Sequence, residues 1–192
     1  MANKVLVSEF DGTPAQITFG DVETDFNPTA ANDLRHASAA DTEVQLDLTD
    51  LADGAARESD KVDLGAERAT EYNVRCAFEM AATPTVGDLI ELYWAPSHHA
   101  TAATGNPAGA TGSDAAYTGY GTLADAVPQL QFIGVFVCDD ATTTTVQVGE
   151  VGTFSPTERY GILIVKNESG AAFHSDAVEH HVVFDPIVSE IQ

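Results

Sequence analysis

The chain has 192 residues, enough for one domain of the usual size, roughly 100–200 residues, which can bury about 70% of its unfolded surface without disulfides or metal. Thirty Asp and Glu against eight Lys and Arg give a formal charge of −22, with no Lys or Arg between Arg75 and Arg159. Binding to nucleic acid neutralises phosphates with cations, so this balance nearly excludes nucleic acid as a partner class. A hydrophobic content of 44% argues against disorder.

Residues 4–10 (KVLVSEF) and 15–19 (AQITF) read as short strands, separated by the turn residues Asp11-Gly12-Thr13-Pro14. The start MANKVLVSEF lacks the apolar core of a signal peptide, and no stretch approaches the roughly 20 apolar residues of a membrane helix. The expectation is a chain made in the cytoplasm with no membrane partner. Residues 20–42 are small and polar and read as an irregular, arm-like segment, with a weak helix over 29–40 as the alternative.

EVQLDL (43–48) alternates, and LADGAARESD (51–60) interrupts it as a loop. The clearest strand is 71–81, with Tyr72, Val74, Cys76, Phe78 and Met80 on one face. Turn residues at 83–88 lead into LIELYWA (89–95), where Tyr93 and Trp94 point to opposite faces; core packing of both is the favoured reading, and an exposed one that anchors a protein or stacks a sugar is the alternative. Residues 96–128 form a long, weakly patterned loop of Ala, Thr, Gly and Ser carrying Tyr117 and Tyr120. Such loops are either hydrated or functional. Trp94, Tyr117 and Tyr120 are therefore the candidate partner contacts.

QLQFIGVFVC (129–138) is apolar on both faces and reads as a central strand. Strands at 142–154, 160–167 and 178–188 follow, with turns at 155–157 and 169–170; Pro186 places the last at an edge or a bulge. Roughly eight to ten strands without βαβ alternation predict an all-β fold, an antiparallel, jelly-roll-like β-sandwich over residues 1–192. Long irregular loops at 20–42 and 96–128 complete it.

The chemistry expected of an enzyme is missing from the pattern. His98-His99 enters the long loop, His180-His181 points to opposite faces of a strand, and His36 and His174 lie near turns; none has metal-ligand spacing. Asp47, Asp50 and Asp53, or Asp139-Asp140, offer oxygens to a hard cation, but a solvated acidic face is the favoured reading. No nucleophile motif or phosphate loop is present, and abundant carboxylates alone do not make a glycosidase. Cys76 and Cys138 read as buried thiols, with a disulfide open if their strands face each other. No catalytic residue, cofactor or metal is expected.

The last third, GTFSPTERYGILIVKNESGAAFHSDAVEHHVVFDPIV, resembles small virion structural proteins of tailed bacteriophages, as does GDLIELYWAPS with the GNPAGATGSDAAYTGY loop. Together these stretches span about the last two-thirds of the chain. The resemblance implies a decoration (cement) protein on the outer surface of the capsid. It would bind the major capsid protein and copies of itself, as a trimer at quasi-three-fold positions. The 20–42 and 96–128 segments would then order against neighbouring subunits. The alternatives are a neck or tail protein, or a carbohydrate- or receptor-binding β-sandwich using Trp94 and the loop tyrosines.

Overall fold

The computed structural model describes residues 5–6, 16–35, 41–66, 68–139, 145–187 and 190–191. Its strands are β1 (Val5–Leu6), β2 (Gln16–Gly20), β3 (Asp41–Gln45), β4 (Ala56–Glu58), β5 (Val62–Asp63), β6 (Glu71–Glu79) and β7 (Leu89–Ser97). They continue with β8 (Ala115–Ala116), β9 (Gln131–Val137), β10 (Val146–Phe154), β11 (Tyr160–Glu168), β12 (His181–Ile187) and β13 (Glu190–Ile191). Among the described residues the one α-helix, α1 (Leu123–Ala126), is capped by Thr122 and followed by a 3-10 turn at Val127–Gln129. The turn expected at 11–14 lies outside the described residues.

The fold is an all-β sandwich. One sheet runs β10-β6-β12-β2-β3, the other β8-β4-β11-β7-β9 with β5 also on β11, and β1 pairs β13 apart from both. From β9 to β12 each successive strand lies in the opposite sheet. The alternation read from the sequence selects the inner faces. Tyr72, Val74, Cys76 and Phe78 of β6 meet Ile90, Leu92 and Trp94 of β7 and Leu163 and Val165 of β11 in one core cluster.

Three expectations are corrected. LADGAARESD is not all loop, because Ala56–Glu58 pairs β11 and β8. The sequence 129–138 supplies an edge strand, since β9 pairs only β7 among the described residues. Pro186 lies in an inner strand, where its missing N–H is tolerated by position. It still pairs Tyr72 of β6, but the β2 ladder ends at Phe184↔Ile17.

The sandwich is antiparallel except for β2 and β3, which are parallel. A parallel pair needs a crossover of a dozen or more residues. Residues 21–40 are that crossover, which explains a long polar stretch between two adjacent strands. Among its described residues, 21–35 form turns and no helix.

Candidate functional site

Residues 21–35 and the 98–130 region fold onto their own sandwich, each against the outer face of one sheet. Ala108, Ala110, Tyr117, Ala126, Val127 and Leu130 of the 98–130 region pack on Tyr93, Ala95, Ile162 and Ile164, making a second core. The small side chains let backbone layer closely on the sheet. Along β7 and β11 this sheet is therefore buried on both faces, and Tyr93 and Trp94 are both inside.

Trp94 and Tyr117 are accordingly corrected as partner contacts. Trp94 is fully buried on the inner face, 5.6 Å from Phe154 and 5.8 Å from Phe184 between ring centroids. Tyr117 is buried and donates its hydroxyl to the Ala108 carbonyl at 2.7 Å, and burial pushes its pKa up to about 12. Tyr120 alone of the three reaches solvent, at 77% exposure.

The struts of the long loop come from ARESDK (56–61), whose charges look like a solvated loop in the sequence. Arg57 donates to both oxygens of Asp114 at 2.7 Å, and Asp60 accepts from the Asp114 N–H at 2.7 Å. Buried Glu58 accepts from the Thr111 N–H at 2.8 Å and from its hydroxyl at 2.7 Å. Burial raises the Glu58 pKa, and the Thr111 hydrogen bonds oppose the rise. Lys61 Nζ lies 3.0 Å from Ser97 Oγ and 3.1, 2.7 and 2.8 Å from the carbonyls of His99, Thr101 and Thr104.

Residues 21–35 are held just as firmly. The Leu34 N–H donates to His181 Nε2 at 3.2 Å, the Thr29 N–H to the Glu179 carboxylate at 3.2 Å, and Arg75 to the Leu34 carbonyl at 3.0 Å. Arg75 also pairs with Asp185. Because His181 Nε2 accepts, its proton sits on Nδ1, which donates to the Glu179 carbonyl at 2.8 Å. Burial lowers the His181 pKa and pushes that of His180 down to about 4.

No family model and no curated protein matches the sequence. The residues must speak for themselves.

Among the described residues no group of three or more His, Cys, Asp or Glu side chains is arranged to hold a metal ion. Asp47 accepts from the Thr49 N–H in its own turn and faces Arg57 at 3.7 Å, and Asp53 accepts from the distant Gly170 N–H, each hydrogen bond at 2.9 Å. Cys76 and Cys138 are free and buried, with the Cys76 pKa raised well above the usual thiol value by burial.

Among the described residues, half of the exposed large apolar side chains lie on two strands, the others being Val86, Tyr120 and Ile187. Phe132 (55% exposed) and Val137 (57%) lie on β9, and Val148 (45%) lies on β10. These are edge strands of opposite sheets. The sheets touch there through glycines: a Cβ on Gly134 would stand 2.6 Å from Val151 Cγ1, and one on Gly149 2.7 Å from Phe136 Cε2. Each strand carries a register shift near this contact, between Leu92 and Tyr93 on the β7–β9 ladder and between Glu150 and Gly152 on β10. Beside the contact opens a groove of about 370 Å³. The sequence reading missed these residues because a strand apolar on both faces looks central. The overlooked signal is the want of any charge in QFIGVFV within so acidic a chain.

Proposed function

We propose that this chain is a virion structural protein of a tailed phage, a capsid decoration protein that binds and stabilises the major capsid protein lattice from outside. The observation that carries the reading is the exposed apolar pair of edge strands, β9 and β10, on an otherwise strongly acidic sandwich. Apolar surface left at a sheet edge is a protein-binding feature. The resemblance of GDLIELYWAPS and of the C-terminal third to tailed-phage virion proteins supplies the setting.

The mechanism is clamping. As a homo-oligomer, a trimer at quasi-three-fold positions, it engages several capsid subunits at once, and each bound arm raises the effective concentration of the next. An acidic exterior suits a protein that never touches the genome. The carbohydrate-binding alternative loses its principal stacking residue, since Trp94 is buried.

Quantitative mass spectrometry of purified particles tests the reading. A copy number near that of the major capsid protein is expected. A few copies per particle would move the chain to the neck or tail, and absence from the particle would end the virion reading.

A further inference from the structure

We propose that the corner between β9 and β10 is a docking groove for an extended, cationic polypeptide segment taken up by strand addition. Among the described residues β9 is laddered only to β7 and β10 only to β6, so each has a side without a partner strand. Natural edge strands are usually blunted by lysine, proline or inward charge. Here β9 (QFIGVFV) has no charged residue and no proline, and β10 (VQVGEVGTF) has the single carboxylate of Glu150. The groove of about 370 Å³ has Val137 on one strand and Val148 on the other, with Phe136 and Gly149 between them. An incoming strand that places every second side chain against these valines gains apolar burial and main-chain hydrogen bonds together.

Charge selects the occupant. Glu150 also lines the groove, and no Lys or Arg occurs anywhere from 76 to 158, a span that includes both strands. The cation nearest in register, Arg75 opposite Glu150, is committed to Asp185 and the Leu34 carbonyl. A second copy of the chain would bring another formal −22 to the same place. The segment that fits alternates apolar residues with lysine or arginine, so that the cations face the acidic surroundings.

This inference rests on the protein-binding reading of the corner, and its test uses the isolated chain, so its failure and the failure of the particle assay are separate results. A fluorescein-labelled peptide of about ten residues alternating Val and Lys is titrated by anisotropy, beside the same peptide with Glu in place of Lys. The Val/Lys peptide should bind, shift the β9 and β10 amide resonances, and lose at least about tenfold in affinity to Val137→Lys/Val148→Lys. The pair Ala52→Lys/Ala103→Lys adds the same charge at exposed sites outside the groove and should change affinity less than about twofold. Thermal unfolding shows that both pairs remain folded. Equal weakening by both pairs would reduce the effect to general charge attraction and overturn the groove. Absence of binding would overturn it too, as would self-association abolished by the groove pair, which would name a second copy as the occupant.

Discussion

The indole of Trp94 occupies the space that any side chain on Gly161 would need. A Cβ at residue 161 would overlap Cζ2 and Cε2 of the ring and stand 2.7 Å from Nε1. The two residues lie on neighbouring strands, where Trp94 faces Leu163 and Gly161 faces Pro96. The absence of a side chain at 161 lets the indole reach the opposite sheet. Gly161→Ala should lower stability by about 1–3 kcal/mol through overpacking, and Trp94→Ala by about 3–5 kcal/mol through the cavity it leaves. Trp94 is the only tryptophan, so its fluorescence during urea unfolding of the native chain and Gly161→Ala gives the first difference directly, and circular dichroism gives the second.

Lys61 behaves as the central ion of an oxygen cage. Four oxygens surround a group with three protons, at 2.7–3.1 Å. Lys61→Met should strand the carbonyls of His99, Thr101 and Thr104 and cost on the order of 1–3 kcal/mol. Hydrogen exchange should quicken across residues 98–105 and stay slow in β6 and β11. In Lys61→Ala, potassium should restore part of the lost stability relative to tetramethylammonium at equal ionic strength, since carbonyl rings can replace the hydration shell of a small cation. Identical melting in both salts would refute the cage.

His180 makes the fold sensitive to acid. Its Nδ1 accepts from the Glu79 N–H at 3.2 Å, and its Nε2 then donates to the His174 carbonyl at 3.2 Å, so the ring must be neutral. Burial dominates in holding its pKa at about 4 against an ordinary 6.5; the nearby His174 and His181 add to the lowering, while the His174 carbonyl and the Asp176 carboxylate oppose it. Between these values the unfolded chain takes up the proton and the native chain does not. This contribution is therefore complete above pH ~6.5 and is lost as pH falls toward ~4, by on the order of 3 kcal/mol. His180→Asn, which keeps an acceptor near Nδ1, should flatten that part of the stability–pH curve. Parallel curves for the two proteins would show that the slope arises elsewhere.

Both cysteines should be inert in the native state. Burial raises the Cys76 thiol well above its ordinary pKa and the Cys138 thiol to about 11, so neither supplies thiolate at pH 8. Ellman's reagent should react slowly with the folded protein and promptly with two thiols per chain in urea. A fast native phase would place one of them at the surface.

The strands most legible in the sequence are those with one face in the main core. Tyr72, Val74, Cys76 and Phe78 alternate as a half-buried strand should, and all four are buried. Residues 160–167 were readable for a related reason, a continuous apolar run between turn residues, and β11 is buried on both faces. Less legible was β4, because Arg57 and Glu58 look like loop residues until Asp114 and Thr111 arrive from more than fifty positions away. The segment at 20–42 looked like a free arm because nothing local announces that β2 and β3 are parallel neighbours.

The sequence by itself determined that the chain is all-β. Side-chain alternation and turn residues are local properties, readable within a few positions. Only the tertiary structure decided which strands are edges, which aromatic residues meet solvent, and where the apolar surface is left over. Trp94 is no contact because it faces the opposite sheet, and Tyr117 is none because the loop that carries it packs down on the second sheet; Phe132, Val137 and Val148 emerge because two sheets end at the same corner. Exposure depends on what lies on both sides of a strand, and those neighbours are chosen by long-range pairing.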